Sequence, residues 1–480
     1  MSEPRAAWEP VIGLEIHVQL KTRTKMFCGC VLSFGEQANT RTCPVCLGHP
    51  GTLPVVNAEA IHFGLMIGLA LECSVTPRTT FHRKNYFYPD LPKGYQISQY
   101  DFPLCRDGEL AGVRINRVHL EEDAAKLVHA GASGRIHGAE RSVVDFNRGG
   151  TPLVEIVTEP DLASPAAAAE WLRLLRATLK RLGVSDVNME EGSLRCDANV
   201  SVRPAGASEL GTKTELKNMN SFRFIERGVA AEILRQQALL EAGDEVHQET
   251  LHYDPRGGAI SSLRSKEESH DYRYFPEPDL MPVAPTDAML ERARAALPEL
   301  PGVRAARFER DLGLTPDSAR LLAFRGELGD FYESALAELR DSSEQASSLA
   351  NWTINELAPR LGDADPVDSK VEPGALATVV RMVLANEISA SAGKDVLDVL
   401  AADGGDPAAI VVERGLARAG EDELGEIVDR ALEQQADAAE KVRQGNRKAI
   451  GAIVGVVMRE TKGRADGGEV QRMIEQRLGL

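Results

Sequence analysis

Apolar and polar residues alternate through much of the first half of the chain. In Val11–Leu20, V-I-G-L-E-I-H-V-Q-L, residues Ile12, Leu14, Ile16, Val18 and Leu20 share one strand face, and Gly13, Glu15, His17 and Gln19 share the other. One face suits a core. The other carries a carboxylate and an imidazole about 7 Å apart by strand rise. Arg117–Lys126 repeats the pattern, with His119, Glu121 and Asp123 on one face and Glu122 on the other. Thr151–Asp161 places Glu155 in an otherwise apolar strand, where a lone carboxylate is costly unless paired or bound to a cation. In Glu190–Pro204, Arg195, Asp197, Asn199, Ser201 and Arg203 alternate with apolar residues, and Thr212–Lys217 adds Lys213, Glu215 and Lys217.

These strands, with Gly/Pro turns and a few helices, predict an α+β domain over Trp8 to about Pro285, built on an antiparallel sheet with one covered face. Asn220 or Ser221 caps a helix running to about Ala242, with Gly243 as its stop. From about Asp287 the period turns helical, over Ser318–Leu339, Ser347–Leu361, Gly374–Leu384 and Ser391–Ala401. A final helical segment, Gly420–Leu480, follows the loop Ala402–Pro407. The chain shows no internal repeat and no low-complexity tract.

Length changes this picture only by predicting two to four domains in 480 residues. The longest apolar run, Ala449–Met458, is too short and Gly-rich to span a membrane, and the N-terminus has no apolar segment of an export signal. Seven cysteines, an odd number, do not read as a disulfide framework, so a reducing cytoplasm is expected. The net charge of −17 disfavours a generic nucleic-acid surface but leaves room for segregated basic patches; a halophilic source gives an acidic surface by another route.

Collected on one sheet face, the carboxylates and His17 have the composition of a site for a hard divalent cation such as Mg²⁺, and the interleaved Lys and Arg can neutralise phosphate oxygens. The competing reading is a solvated sheet face. Cys28-Gly-Cys30 and Cys43-Pro-Val-Cys46 offer four thiolates, the donor set of a closed structural Zn²⁺ site; free or redox-active thiols are the alternative. Six of the twenty residues Phe81–Tyr100 are aromatic in a chain about 5 % aromatic, with Arg83, Lys84 and Lys93 among them. Such a segment suits a nucleotide or a single-stranded RNA end, or else a Tyr-rich core loop. Asn147-Arg148-Gly149-Gly150 reads as a tight turn whose Arg can hold a phosphate. Lys441–Asp466 carries seven basic residues against two acidic ones around the small-residue stretch Gly451–Gly455, either an RNA-docking helix or a basic solvated face. There is no P-loop, no G-x-S-x-G elbow and no recognisable Cys setting for glutamine hydrolysis. If the chain handles ammonia, something else must generate it.

The stretches G-L-E-I-H-V-Q-L, K-N-Y-F-Y-P-D-L-P-K-G-Y-Q-I-S-Q, H-L-E-E-D-A-A-K, N-R-G-G-T-P-L-V-E-I-V-T-E-P-D, E-E-G-S-L-R-C-D-A-N-V-S and D-Y-R-Y-F-P-E-P-D, in that order, closely resemble the B-subunit family of the aspartyl/glutamyl-tRNA(Asn/Gln) amidotransferases. The resemblance covers essentially the whole chain. It implies a cradle domain over 1–290 with a zinc-binding insert at 28–46, a helical domain over 291–405 and a YqeY-like, tRNA-binding tail over 406–480. The chain is too short for the extra domain of the related archaeal protein. The implied reaction is ATP-dependent amidation of Glu-tRNA(Gln) and/or Asp-tRNA(Asn), with ammonia from a partner amidase (the A subunit) and a small C subunit completing the enzyme. Carried over, Glu15, His17, Glu121 and Glu155 form the Mg²⁺ group, strand alternation favouring Glu121 over Glu122. Cys28, Cys30, Cys43 and Cys46 hold Zn²⁺, Lys84, Arg148, Arg195 and Lys217 lie near the phosphates of ATP, and Arg447 and Lys448 contact tRNA.

Overall fold

The computed structural model describes residues 8–32, 35–130, 139–217, 219–265, 272–339, 343–362, 364–418, 420–461 and 464–479. Residues 1–7, read for an export signal, Asp271 of the last quoted motif, and Lys462 of the basic stretch lie outside them. Two compact units result, residues 1–300 and 301–480.

The first unit contains β1 (Trp8–Gln19), α1 (Ala58–Ala70), β2 (Ser74–Val75), β3 (Phe81–Asn85), β4 (Tyr95–Gln99), β5 (Cys105–Leu110), β6 (Val113–Glu122), β7 (Lys126–Ala130), β8 (Arg141–Asp145) and β9 (Pro152–Thr158). After α2 (Pro165–Arg181) come β10 (Leu194–Pro204), β11 (Thr214–Lys217), α3 (Phe222–Ala242), β12 (Glu249–Tyr253), β13 (Ile260–Ser265), β14 (Phe275–Pro276) and α4 (Asp287–Ala295). Nine strands make one sheet in the order β13-β12-β11-β10-β1-β9-β6-β5-β2, so β1 is its central strand. Its five alternating apolar side chains, Ile12 to Leu20, are each no more than 2 % exposed and join α1, α2 and α3 in one core. Burying each is worth roughly 1.5–3 kcal/mol. A one-residue slip would forfeit on the order of 10 kcal/mol and drive Glu15 and His17 into the core, which pins the register.

The sheet is antiparallel except at β11/β12, which pair in parallel. This departs from the wholly antiparallel expectation because α3 lies between those strands and returns the chain in the same direction, a crossover connection. α3 carries the expected caps: Ser221 Oγ accepts from Phe224 N–H, and Gly243 adopts φ 84°. The small sheet β14-β3-β4 meets β6, where Ser98 Oγ donates to Glu121 and Gln96 Nε2 to the Glu122 carbonyl.

The unit ends ten residues beyond the expected 290 because α4 packs its Ala293 into the first core and Arg292 pairs with Glu59 of α1. The second unit is helical. Ser318–Leu339 forms two helices, α5 (Pro301–Leu312) being followed by α6 (Pro316–Phe324) and α7 (Gly326–Leu336). The break falls at Arg325–Gly326, where Gly costs helix stability and its carbonyl accepts from the buried Arg304. In the next segment, α8 (Ser343–Trp352) and α9 (Ala358–Leu361) are joined by a π turn at Thr353–Leu357, as Pro359 removes a helical donor. α10 (Pro373–Leu384), α11 (Ala390–Asp403) and α12 (Pro407–Arg414) complete one core, so α12 belongs with the preceding helices although the expected boundary at 405 assigned it to the tail. A separate core, Leu424 to Leu478, unites α13 (Glu421–Gln434), α14 (Ala436–Arg443), α15 (Ile450–Glu460) and α16 (Gly467–Leu478). No helix among the described residues is long and apolar enough to cross a membrane.

Candidate active site and thiolate cluster

Pairing fixes which charges meet on the polar face. His17 of β1 stands opposite Arg195 of β10 and Glu155 of β9, and Glu155 stands opposite His119 of β6. One row across four strands therefore reads Arg195–His17–Glu155–His119. The neighbouring row places Glu15 opposite Asp197, and β6 brings Glu121 in beside Leu153.

His17 Nε2 lies 3.5 Å from Glu155, 3.7 Å from Glu15 and 3.9 Å from Glu121. His119 Nε2 lies 3.4 Å from Glu155 and 3.7 Å from Glu121. Donor atoms of His17, Glu121 and Glu155 fall within 4.8 Å of one another, as do those of Glu15, His17 and Asp197. The four expected metal ligands thus divide into two triads sharing His17, with Glu15 on the Asp197 side. Alternation holds at β6: Glu121 faces this cluster, while Glu122 points away and pairs with Lys93. Burial opposes a charged His17, but its hydrogen bond to Glu155 and the charges of Glu155, Glu15 and Glu121 lift its pKa to about 9. Burial also opposes charge on Glu155, yet His119 and His17 hold it well below the carboxylate range. Glu15 moves the other way, raised by burial and by Glu155. Buried carboxylates and imidazoles converging in this way fit a hard divalent cation, which would compensate their shared desolvation.

Cations ring the carboxylates. Lys84 is raised despite burial, Tyr274, Glu121 and Glu155 outweighing desolvation. Its ammonium sits 4.7 Å from the centre of the Tyr272 ring. Lys217 Nζ lies 2.9 Å from Asp197 and 3.1 Å from Glu215. Arg195 lies 2.9 Å from Asp123, which also accepts from Gln19 Nε2 at 2.7 Å. The buried Nε of Arg195 has no hydrogen-bond partner among the described residues. Lys84, Lys217, Glu121 and Tyr272 form the wall shared by two cavities of about 360 and 380 Å³. Tyr100 and Tyr274 stack at 4.3 Å in the first, and Tyr86 lines the second. Arg148 stands at the edge of this group, its Nε 3.8 Å from Asp123, and lines neither cavity. Its Nε and Nη2 donate to the carbonyls of Ala124 and Ala125 at 2.9 and 2.8 Å, which clamps the turn ahead of β9.

Of the aromatic segment, Phe81 is core, Arg83 pairs with the buried Glu277, and only Lys84 of the three cations lines the cavities. His119, which alternation puts on the same face as Glu121, joins the cluster as a member beyond the four expected ligands. Tyr272 and Tyr274 lie about 170 residues beyond Tyr100 in sequence, and nothing short of the fold places them together.

The four insert cysteines also converge, their sulfurs within 4.8 Å of one another. An ideal tetrahedron with Zn–S near 2.3 Å has S···S edges of about 3.8 Å, so the donor set fits zinc. The Cys46 thiol is pulled down to about 4, chiefly by its hydrogen bond with Cys28, then by the Cys43 backbone N–H and Lys25. Lys25, 1 % exposed, holds its Nζ 3.7 Å from Cys46 Sγ and donates to the Phe146 carbonyl at 3.0 Å. In the tail, Arg447 and Lys448 are exposed at the start of α15, and Gly451 and Gly455 face open space.

Residues 10–291 match the family described as "GatB/GatE catalytic domain", and residues 330–478 match the "GatB domain". The chain is 49 % identical over 500 residues to the B subunit of the aspartyl/glutamyl-tRNA(Asn/Gln) amidotransferase of Frankia casuarinae, covering 100 % of this chain and 97 % of the relative. It is 46 % identical over 490 residues to the B subunit of Anaeromyxobacter sp. strain Fw109-5 (99 % and 100 % covered), and 48 % identical over 497 residues to that of Thermobifida fusca (98 % and 94 %).

Proposed function

The chain belongs to the B-subunit family of the aspartyl/glutamyl-tRNA(Asn/Gln) amidotransferases, and from that premise we propose that its sheet face carries out ATP-dependent amidation of Glu-tRNA(Gln) and/or Asp-tRNA(Asn). The side-chain carboxylate of the mischarged residue attacks the γ-phosphorus of ATP, forming an acyl phosphate and releasing ADP. Ammonia then attacks the acyl carbon, phosphate leaves, and the amide remains. Activation is needed because a carboxylate is a poor electrophile.

The observation that carries this reading is the Arg195–His17–Glu155–His119 row, with Glu155 and His119 buried and His17 and Arg195 half-buried, walled by Lys84 and Lys217. His17, Glu121 and Glu155 would hold Mg²⁺, which when bound offsets the negative charge of the phosphates. Lys84, Lys217 and Arg195 neutralise phosphate oxygens on ATP and on the acyl phosphate. Because their present partners already fix them in place, they need little reorganisation at the moment of reaction. Glu15, made more basic by burial and by Glu155, accepts at Oε1 the proton that ammonia sheds on attack. The tyrosines at the rim bind the unpaired 3′ end of the tRNA.

The remaining roles follow from chemistry. Ammonia comes from an amidase partner, the A subunit, with a small C subunit completing the assembly. The cysteine cluster holds a structural zinc with no open position. The first unit, to Leu300, acts as the catalytic cradle, α5 to α12 as a connecting domain, and the tail from α13 onward meets the tRNA body through Arg447 and Lys448. The test is ATP hydrolysis by the assembled enzyme with and without Glu-tRNA(Gln). Stimulation by the mischarged tRNA supports the reading, and hydrolysis indifferent to it refutes it.

A further inference from the structure

β6 ends on two adjacent carboxylates that face opposite ways, Glu121 toward the cation basin and Glu122 toward the cysteine insert. One short segment supplies four donors to this dipeptide. Lys93 Nζ pairs with Glu122, and Ile97 N–H donates to the same carboxylate at 3.0 Å. Gln96 Nε2 donates to the Glu122 carbonyl at 2.7 Å, and Ser98 Oγ to Glu121 at 3.0 Å. The Lys93–Glu122 pair is largely removed from water, its side chains 10 % and 5 % exposed. Lys93 also leans on the insert. Gly48, two residues beyond Cys46, holds φ 68°, and a Cβ there would overlap Lys93 Cγ, so the lysine stem lies against the backbone of the cysteine turn. A cavity of about 70 Å³ lies among Cys28, Cys46, Gly48, Lys93, Glu122 and Gly150. A Cβ at Gly150 would stand 3.7 Å from Cys46 Cβ and 3.8 Å from Glu122 Oε2, so a single glycine separates the cluster from the carboxylate that backs Glu121.

We propose that the cysteine insert is a positioning element for the cation basin: holding zinc, it fixes Lys93, and Lys93 through Glu122 fixes the end of β6 that carries Glu121. The inference rests on the cation reading of the basin and the zinc reading of the cysteines. Four thiolates gathered on one ion keep the Cys43–Gly48 turn in one shape, and with it the surface beneath the lysine stem. Without the ion that constraint goes, Lys93 regains rotamer freedom, and a buried carboxylate loses its counter-charge. Mg²⁺ demands near-ideal octahedral ligand geometry, so a displacement of about 0.5 Å at Glu121 weakens its binding. Linkage makes the effect reciprocal: the cation in the basin tightens zinc by the factor by which zinc tightens the cation.

The test uses the assembled enzyme. Zinc affinity is measured by equilibrium competition with a zinc-selective chelator, with and without saturating Mg²⁺, and is expected to rise about fivefold or more in Mg²⁺. The double variant Lys93→Met, Glu122→Gln keeps the stem and leaves no unpaired buried charge; it is expected to retain zinc but lose that gain. A wild-type zinc affinity indifferent to Mg²⁺ overturns the proposal, and this comparison does not depend on the variant's folding. A folded double variant that keeps the full gain overturns it too, leaving the pair a brace and no more. Titration with Mn²⁺, read by the spin resonance of the free ion, separates the premises. Enzyme with no bound Mn²⁺ that Glu155→Gln removes refutes the cation reading of the basin and the proposal with it. Zinc and Mn²⁺ each bound, but independently, overturn the coupling alone.

Discussion

Replacing Glu155 by Gln removes one buried negative charge with almost no change of shape. The amide oxygen can still accept from Arg117 Nη2, which donates to the carboxylate at 3.0 Å. What is lost is the charge facing His17 at 3.5 Å and His119 at 3.4 Å, and with it one donor of the proposed cation site. A unit charge about 4 Å from another is worth about 4 kcal/mol at an effective dielectric near 20. Because 1.36 kcal/mol is one decade in rate, the variant is expected to lose about three decades of tRNA-stimulated ATP hydrolysis. Stability should fall as well, by up to about 3 kcal/mol, because the two imidazoles favour the ionised carboxylate despite its burial and lose that partner in the amide. The assay measures ADP release by the assembled enzyme with and without Glu-tRNA(Gln), alongside a thermal melt and a tRNA-binding titration. A variant that is folded at the assay temperature, binds tRNA and retains hydrolysis within tenfold of wild type would falsify the assignment. The carboxylate cluster would then be structural, and the chain a zinc-stabilised tRNA scaffold whose partners do the chemistry.

Other parts of the molecule give independent expectations. Cys46→Ser should reduce bound zinc from about one ion per chain to near none, read by elemental analysis, and expose residues 28–46 to protease, because metal binding and folding of such a cluster are coupled. Arg304 is 1 % exposed, lies 2.7 Å from Asp330, pairs with Glu333 and donates to the Gly326 carbonyl. Arg304→Ala should destabilise the helical unit by about 3 kcal/mol in urea, followed through the buried Trp352; a loss below 1 kcal/mol would show the partners are satisfied without it. Arg447→Ala with Lys448→Ala, both exposed, should leave the melt unchanged. It should weaken tRNA binding and lower the log–log salt slope by about 1.5, two contacts' worth; an unchanged slope removes them from the interface.

Much of the site could be read from the sequence because strand alternation is a local rule. It separated Glu121 from Glu122, and it placed Glu15 and His17 opposite the face that became the core. Caps are equally local, and Ser221 and Gly243 bound α3 as expected. The misses arose from distance or competition. A parallel β11/β12 pair depends on what a 21-residue helix does between them. Arg148 has the chemistry for phosphate and stands beside Asp123, but the carbonyls of Ala124 and Ala125 hold two of its nitrogens, contacts that its sequence neighbours do not announce. The division of the metal group into two triads follows from Glu15 pairing across to Asp197, a cross-strand register that no single strand encodes.

The same register explains how a chain of net charge −17 can hold cations at fixed positions on one sheet face. Arg195 is held by Asp123, and Lys217 by Asp197 and Glu215, so each cation stands in a fixed position beside a carboxylate. Those carboxylates do not cancel the site. They orient long, flexible side chains that would otherwise lose rotamer freedom on binding, at an entropy cost of up to about 2 kcal/mol each. Arg195 keeps a buried Nε with no partner among the described residues, so part of its hydrogen-bonding capacity is left for an incoming anion. Lys84 differs in having no carboxylate within ion-pair distance among the described residues; tyrosine rings and more distant charges hold it cationic. Of the three, it should therefore gain most from an arriving phosphate.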